Sequence, residues 1–300
     1  MSFLFVDRIV ELISGERIRG IKHISRDDFY LTADVQGKPC FIPSLIGETL
    51  GQLAAWNVMQ RNEFTFRPVA GVVSCAKLHR PAYVGDTLLL ESFIDVIDDR
   101  AVQYHSEARV GDELVFSVEG ALGPLLPMAD FISMDEIRRQ FTEIYRPGDW
   151  AEMSTVINRE AAAGCELNAH PNATMAPMMF DRILSNEPGV ALTAEKRVSK
   201  SAPYFPDHFP YKPVLPMTVL LECKINLAKE FVVHAKYDAN YQVSELRKIK
   251  MNDFILPGDI VVCHVKVKQQ TDNELILTYR SEVDGKRVCV VDVVLIPIGK

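Results

Sequence analysis

His208 stands in the stretch Tyr204-Phe205-Pro206-Asp207-His208-Phe209-Pro210-Tyr211-Lys212-Pro213-Val214-Leu215-Pro216, and Glu222 follows fourteen positions later in an apolar run. An imidazole that titrates near neutrality and a carboxyl group are the raw material of general acid and base catalysis. Prolines 210, 213 and 216 fix φ and bar a regular helix or central strand up to Pro216. The stretch therefore predicts a stiff loop and then a helix opening at Met217, with Pro216 beside its first turn. The N-terminus of such a helix offers backbone N–H groups and a favourable dipole to a developing oxyanion.

The elements that must position these groups occur twice. Val6-Asp7-Arg8-Ile9 recurs as Phe180-Asp181-Arg182-Ile183, 174 residues on, and Gly15, Pro39 and Glu48 recur at the same offset as Gly189, Pro213 and Glu222. The Val84-Gly85-Asp86 turn recurs as Pro257-Gly258-Asp259, shifted by 173. One near-constant shift over about eighty residues marks a tandem duplication. The expected division is 1–127 as one domain, 128–174 as a linker carrying a surface helix over Asp130 to Ile144, and 175–300 as a second domain.

Each half predicts an opening amphipathic segment, a strand (Arg17 to Ile24; Val190 to Val198) and a helix at 44–61 or 217–235, apolar around most of its circumference and hence buried. Four β-rich segments follow, at 68–78, 87–95, 102–109 and 113–121, and at 242–251, 259–268, 274–282 and 286–295. Val261, Val265 and Val267, like Leu275, Leu277 and Tyr279, show the period-two rhythm of a strand with one buried face. The expected fold class is α+β, with a long antiparallel sheet wrapping one buried helix in each half.

Composition narrows the function. Three hundred residues at 48% hydrophobic suffice for sizeable cores, and a net charge of −7 argues against a nucleic-acid partner. Six cysteines (40, 75, 165, 223, 263, 289) show neither C-x-x-C pairs nor ligand-like clustering, which predicts no metal site and a cytoplasmic location. The apolar start, Met1 to Val10, is broken by Asp7 and Arg8, so no signal peptide is expected, and no stretch is long and apolar enough for a membrane span.

Taken together, His208-Phe209-Pro210-x-x-Pro213-Val214-Leu215-Pro216 with Glu222 resembles the active-site segment of the FabA/FabZ-type β-hydroxyacyl-(acyl carrier protein) dehydratases. The first half is similar to the same family in Phe3-Leu4-Phe5-Val6-Asp7-Arg8, Glu48-x-x-x-Gln52-Leu53-Ala54 and Arg80-Pro81-x-x-x-Gly85-Asp86. The resemblance spans most of both halves and implies a double hot-dog: two tandem hot-dog domains that form a dimer-like unit within one chain. It also implies that a site's histidine comes from one hot-dog and its acid from the other. The position five before Pro39 is Asp34, where five before Pro213 is His208. The implied pairs are thus His208 with Glu48, a complete site, and Asp34 with Glu222, a degenerate one in which two carboxylates repel and one is pushed toward protonation.

The implied activity is removal of water from a β-hydroxyacyl thioester, borne by acyl carrier protein or coenzyme A, to give the trans-2-enoyl thioester in fatty-acid or polyketide-type synthesis. No cofactor is implied, and further homo-oligomerisation is left open. The family places a glycine after the last proline of the loop; here Met217 stands there and is the expected donor to the substrate oxyanion. Its counterpart is Pro43 by ungapped counting, or Ser44 after a one-residue shift. Rival readings are a hot-dog acyl thioesterase and a non-catalytic acyl-binding scaffold. Asp7 and Asp181 are expected to cap or bridge. His23, His79, His105, His170, His234 and His264 are expected at surface or packing positions. Arg17, Arg19 and Lys22, with Lys196, Arg197 and Lys200, are either solvated strand positions or a docking patch for an acidic carrier.

Overall fold

The structure, a computed structural model, describes residues 2–151, 154–155, 178–237 and 239–298. Cys165, His170 and the stretches 160–164 and 171–173 expected in the linker lie outside the described residues. In the first half β1 (Arg8–Ile13) and β2 (Arg17–His23) form a hairpin, and β3 (Leu31–Ala33) pairs with β4 (Pro39–Phe41). Helix α1 (Pro43–Arg61) leads to β5 (Phe66–Pro68), β6 (Val72–Leu78), β7 (Thr87–Ile97), β8 (Ala101–Val110) and β9 (Glu113–Pro127). The second half repeats the plan as β10 (Arg182–Glu187), β11 (Ala191–Arg197), helix α3 (Met217–Ala235), β12 (Asn240–Met251), β13 (Ile260–Gln270), β14 (Leu275–Val283) and β15 (Lys286–Ile298). Helix α2 (Met134–Ile144) stands between them.

Sheet order shows how the halves join. The main path runs β1-β2-β7-β8-β9-β6-β12-β15-β14-β13-β11-β10, with β5 attached to β9. Each half contributes six strands to this path, and the two join edge to edge where β6 pairs antiparallel with β12, Leu246 opposite Ala76 and Ile249 opposite Val73. Every edge strand presents unpaired N–H and C=O groups, so this union satisfies two edges at once. Alternation decides which face turns inward. In β13, Val261, Cys263 and Val265 are buried between residues such as His264 and Lys266 that face out. The inward faces close over α1 and α3, whose Leu45, Ile46, Leu50 and Leu53, and Val219, Leu220, Leu227 and Phe231, are buried. This is the double hot-dog that the resemblance implies.

The repeated turns have a physical cause. Gly85 and Gly258 sit at φ of 100° and 99°, a region that favours glycine. In each turn the next residue closes the loop, Asp86 Oδ2 accepting from Tyr83 N at 2.9 Å and Asp259 Oδ2 from Leu256 N at 2.7 Å. Asp7 and Asp181 likewise do one job twice, accepting the backbone N–H groups of His23 and Arg197 at 2.6 and 2.5 Å.

Two expectations need adjustment. Helix over Asp130 to Ile144 resolves into a 3-10 turn at Met128–Asp130 and α2 from Met134, because Ser133 caps the helix by accepting from Glu136 N at 3.2 Å. Helix α2 lies at the surface and packs inward through buried Ile137 and through Phe141, which meets Trp56 and Phe64 with ring centroids 5.8 and 5.4 Å apart. The docking patch does not form in the first half. Arg17 and Arg19 are held by Glu11 and Glu91, and Lys22 is buried against Asp28 at 2.7 Å.

Candidate active site

The proline stretch folds as a chain of tight turns without strand or helix until α3 begins. His208 N donates to Tyr204 O at 3.0 Å and Val214 N returns to His208 O at 3.1 Å, so the loop is tied to itself on both sides of the imidazole. Tyr211 N reaches Phe131 O at 2.9 Å and Leu215 N reaches Ile255 O at 2.8 Å, which fixes the loop to its surroundings. The N-terminal strap adds a further tie, because Phe3 N donates to Asp207 Oδ2 at 2.6 Å and the Phe3 ring meets His208 edge-on at 5.8 Å. His208 Nδ1 lies 3.1 Å from Val214 O. A carbonyl can only accept, so Nδ1 carries the hydrogen and Nε2 is left with its lone pair.

Glu48 comes from the other half, on the second turn of α1. Its Oε2 accepts from Thr218 Oγ1 at 2.7 Å and its Oε1 from Gln52 Nε2 at 3.1 Å. Gln52 is itself fixed by the strap, taking Phe5 N on Oε1 at 2.9 Å and giving Nε2 to Phe3 O at 2.9 Å. Glu48 and His208 face one cavity of about 370 Å³, which is also lined by Met217, Thr218, Gly47, Gly51, Tyr104 and Phe116. Burial lowers the imidazole pKa below its ordinary 6.5, opposed by the attraction of the Glu48 charge and the Val214 hydrogen bond and reinforced by Arg67. His208 is thereby a neutral base at physiological pH. Burial also pushes the Tyr104 phenol up to about 12, with Glu48 adding to the shift.

The second pair expected from the repeat does not assemble. Asp34 turns the β3–β4 hairpin: its Oδ1 accepts from Gln36 N and Lys38 N, each at 2.9 Å, and its Oδ2 from Tyr83 OH at 2.8 Å. Glu222 is buried at 4% exposure and is not among the residues lining the cavity. Its pKa is raised above 4.5 by burial, against the pull of Lys229 and of Ser44, and Asp34 contributes nothing to the shift. The expected repulsion between two carboxylates is therefore corrected to desolvation of one. Ser44 lies on the cavity wall and against Glu222, yet neither its hydroxyl nor Glu222 Oε2 completes a hydrogen bond of normal geometry. Met217 lines the cavity at the first turn of α3, where an N–H has no partner one helical turn earlier.

Reasoning from sequence missed Thr218, Tyr104 and Arg67. Thr218 was within reach, since it is the counterpart of Ser44 and both hydroxyls stand at the second position of one helix beside the acid of the other. Tyr104 and Arg67 sit in strands whose lateral neighbours no motif announces. Among the described residues, no three His, Cys, Asp or Glu side chains gather as a metal site, and no helix is long and apolar enough to cross a membrane.

Comparison with known proteins places the whole chain. A family model described as the FabA-like domain matches residues 1–119 and 171–292. The 3-hydroxyacyl-[acyl-carrier-protein] dehydratase FabZ of Caldanaerobacter subterraneus subsp. tengcongensis is 36% identical over 121 residues, which is 39% of this chain and 84% of that protein. FabZ of Shewanella woodyi is 30% identical over 120 residues, 39% of this chain and 79% of that protein. Among solved structures, the dehydratase domain of PpsC from Mycobacterium tuberculosis, in complex with C12:1-CoA, aligns with a TM-score of 0.55 at 12% identity. It covers 99% of this chain and 100% of that one. A putative oleoyl thioesterase from Lactobacillus plantarum aligns with a TM-score of 0.57 at 9% identity, covering 95% and 97%. At such identities the structural likeness establishes the double hot-dog fold.

Proposed function

Because this chain belongs to the FabA-like domain family and is a dehydratase of the 3-hydroxyacyl-[acyl-carrier-protein] type, we propose that it removes water from a β-hydroxyacyl thioester to give the trans-2-enoyl thioester, with His208 and Glu48 as the reacting pair. The carrier is acyl carrier protein or coenzyme A, in fatty-acid or polyketide-type synthesis in the cytoplasm. One observation carries the assignment of residues: an imidazole from the second half and a carboxyl group from the first face a single, largely apolar cavity.

The chemistry follows from the atoms. Nε2 of neutral His208 takes the α-proton, and the electron pair moves into the thioester carbonyl. The Met217 N–H at the α3 N-terminus meets the oxygen that gains charge. The β C–O bond then breaks, and the departing hydroxyl takes a proton from water that the Glu48 carboxylate holds. Thr218 and Gln52 keep that carboxyl aimed at the cavity. Return of the imidazolium proton to that carboxylate-bound water resets the site. An apolar enclosure suits both steps, since it favours the neutral base and excludes competing water.

Turnover of a β-hydroxyacyl pantetheine thioester, followed by absorbance of the enoyl product, tests the reading. A hot-dog thioesterase is favoured by the whole-chain likeness to thioesterase folds, and it would release free thiol, which a thiol reagent detects. Thiol release without enoyl product would replace the dehydratase reading with that one.

A further inference from the structure

Arg67 belongs to the three-residue strand β5, opposite Leu126 of β9, and its side chain lines the cavity that holds His208 and Glu48. Its guanidinium carbon stands 3.7 Å from the centroid of the Phe209 ring and 5.4 Å from that of Phe131. Phe209 in turn stacks on the His208 imidazole, with centroids 4.1 Å apart and an interplanar angle of 25°. A cation, an aromatic ring and the proposed base thus stand in succession along one wall.

What the guanidinium lacks is an anion. Among the described residues Arg67 forms no ion pair and no side-chain hydrogen bond, and its buried Nε has no partner. Glu48 is the acid whose charge reaches it, but both Glu48 oxygens are already engaged by Gln52 and Thr218. Burial brings the Arg67 pKa down to about 9, opposed only in part by the Glu48 charge. Ring faces offset only part of that cost. A side chain with five donors in a fork suits a planar, bidentate carboxylate.

We infer that Arg67 is a specificity-determining residue, and that the acyl thioester this site turns over carries a carboxylate near the carbons on which His208 and Glu48 act. This rests on the dehydratase reading of the cavity. The position of the charge matters. Only the Phe209 ring separates Arg67 from the His208 imidazole, and both side chains line the one cavity, so the carboxylate it pairs with belongs to a short or branched acyl group beside the reacting bond. A neutral acyl group would leave the guanidinium without an anion, which is how a polar site rejects an analogue that lacks the matching group.

The test compares pantetheine thioesters of 3-hydroxybutyrate, of 3-hydroxyglutarate with its distal carboxylate free, and of the same acid as its methyl ester. The wild-type chain is expected to favour the free carboxylate over the ester by roughly ten- to a hundredfold in kcat/KM. Arg67→Met should cut that ratio at least about tenfold, and Arg67→Lys should retain part of it, because lysine supplies charge without the fork. A wild-type ratio near one overturns the inference, as does a ratio that Arg67→Met leaves unchanged. Unreactive glutaryl pantetheine, titrated calorimetrically, separates the two layers of the argument. Tighter binding of the carboxylate than of its ester, lost in Arg67→Met, sustains the anion site even where no thioester is dehydrated. Equal binding of both overturns it.

Discussion

Helices α1 and α3 carry a glutamate at the same turn, yet their surroundings have diverged. Glu48 looks into a cavity, holds two hydrogen-bond donors and shares that cavity with an imidazole from the opposite half. Glu222 is buried, has an oxygen without a partner, and is kept toward its neutral form by desolvation. The helices themselves explain part of this. Gly47, Gly51, Ala54 and Ala55 line the cavity from α1, and at the corresponding positions α3 carries Leu221, Ile225, Ala228 and Lys229. Small residues line the cavity from α1, and α3 carries larger side chains at three of those four positions. Duplication has thus preserved the frame twice and the proposed reacting pair once.

The largest expected effect breaks this asymmetry directly. His208→Ala or Glu48→Gln should lower kcat by roughly 10²- to 10⁴-fold on a β-hydroxyacyl thioester, while Glu222→Gln and Asp34→Asn leave it within a few-fold. Steady-state rates of enoyl formation decide the matter. If Glu222→Gln proves as damaging as Glu48→Gln, the cross-half assignment is wrong.

The proposed pairing could be stated from the sequence because a count carries it. The Asp-Arg pairs, Pro39 with Pro213 and Glu48 with Glu222 share one offset, and the position five before each proline exposes the missing histidine. The same count misleads at Asp34. Residues 31–41 form a hairpin, in which Asp34 satisfies turn N–H groups, whereas 204–216 form an irregular loop that projects His208. Equal spacing from a proline does not place two side chains equally when the chain between them folds differently. Strands were legible wherever one face is buried, as in β13. Arg67 was not, because a three-residue strand has too short a pattern to show which side turns inward.

Smaller effects should follow from the hydroxyls. Thr218→Val removes the donor to Glu48 Oε2 and should lower kcat about tenfold, the worth of one hydrogen bond to a charged group. Ser44→Ala, its counterpart beside Glu222, should cost little turnover. Equal losses in both variants would mean that the two half-sites are functionally coupled.

The pH responses should differ in sign. His208 must be neutral to accept a proton, and its pKa lies below 6.5, so the acid limb of kcat/KM should fall below that pH. For Glu222 the folded pKa is raised above 4.5. The native state then holds a proton that the unfolded chain has released, and stability present below pH 4.5 declines as pH rises toward the folded pKa. Glu222→Gln removes that decline. Its stability advantage in urea titrations should grow with pH above 4.5, by at most about 1.4 kcal/mol per pH unit within the window. A constant advantage across this range would show that Glu222 does not titrate differently in the fold.

The smallest effect sharpens the contrast between the helices. Gly51 lies inside α1 on the cavity wall, and a Cβ there would meet Tyr104 OH at 3.7 Å, ordinary van der Waals contact. Glycine within a helix costs about 1 kcal/mol relative to alanine, so its presence is a local sacrifice. Gly51→Ala should therefore raise the unfolding free energy by about 0.5–1 kcal/mol. It should also narrow the cavity and lower kcat/KM modestly, more for bulky acyl groups than for short ones. At the corresponding position α3 carries Ile225. If Gly51→Ala gains stability and turns over every acyl length as fast as before, the space beside Tyr104 is not used by the substrate, and the difference between the two helices must lie at Gly47 and Leu221 instead.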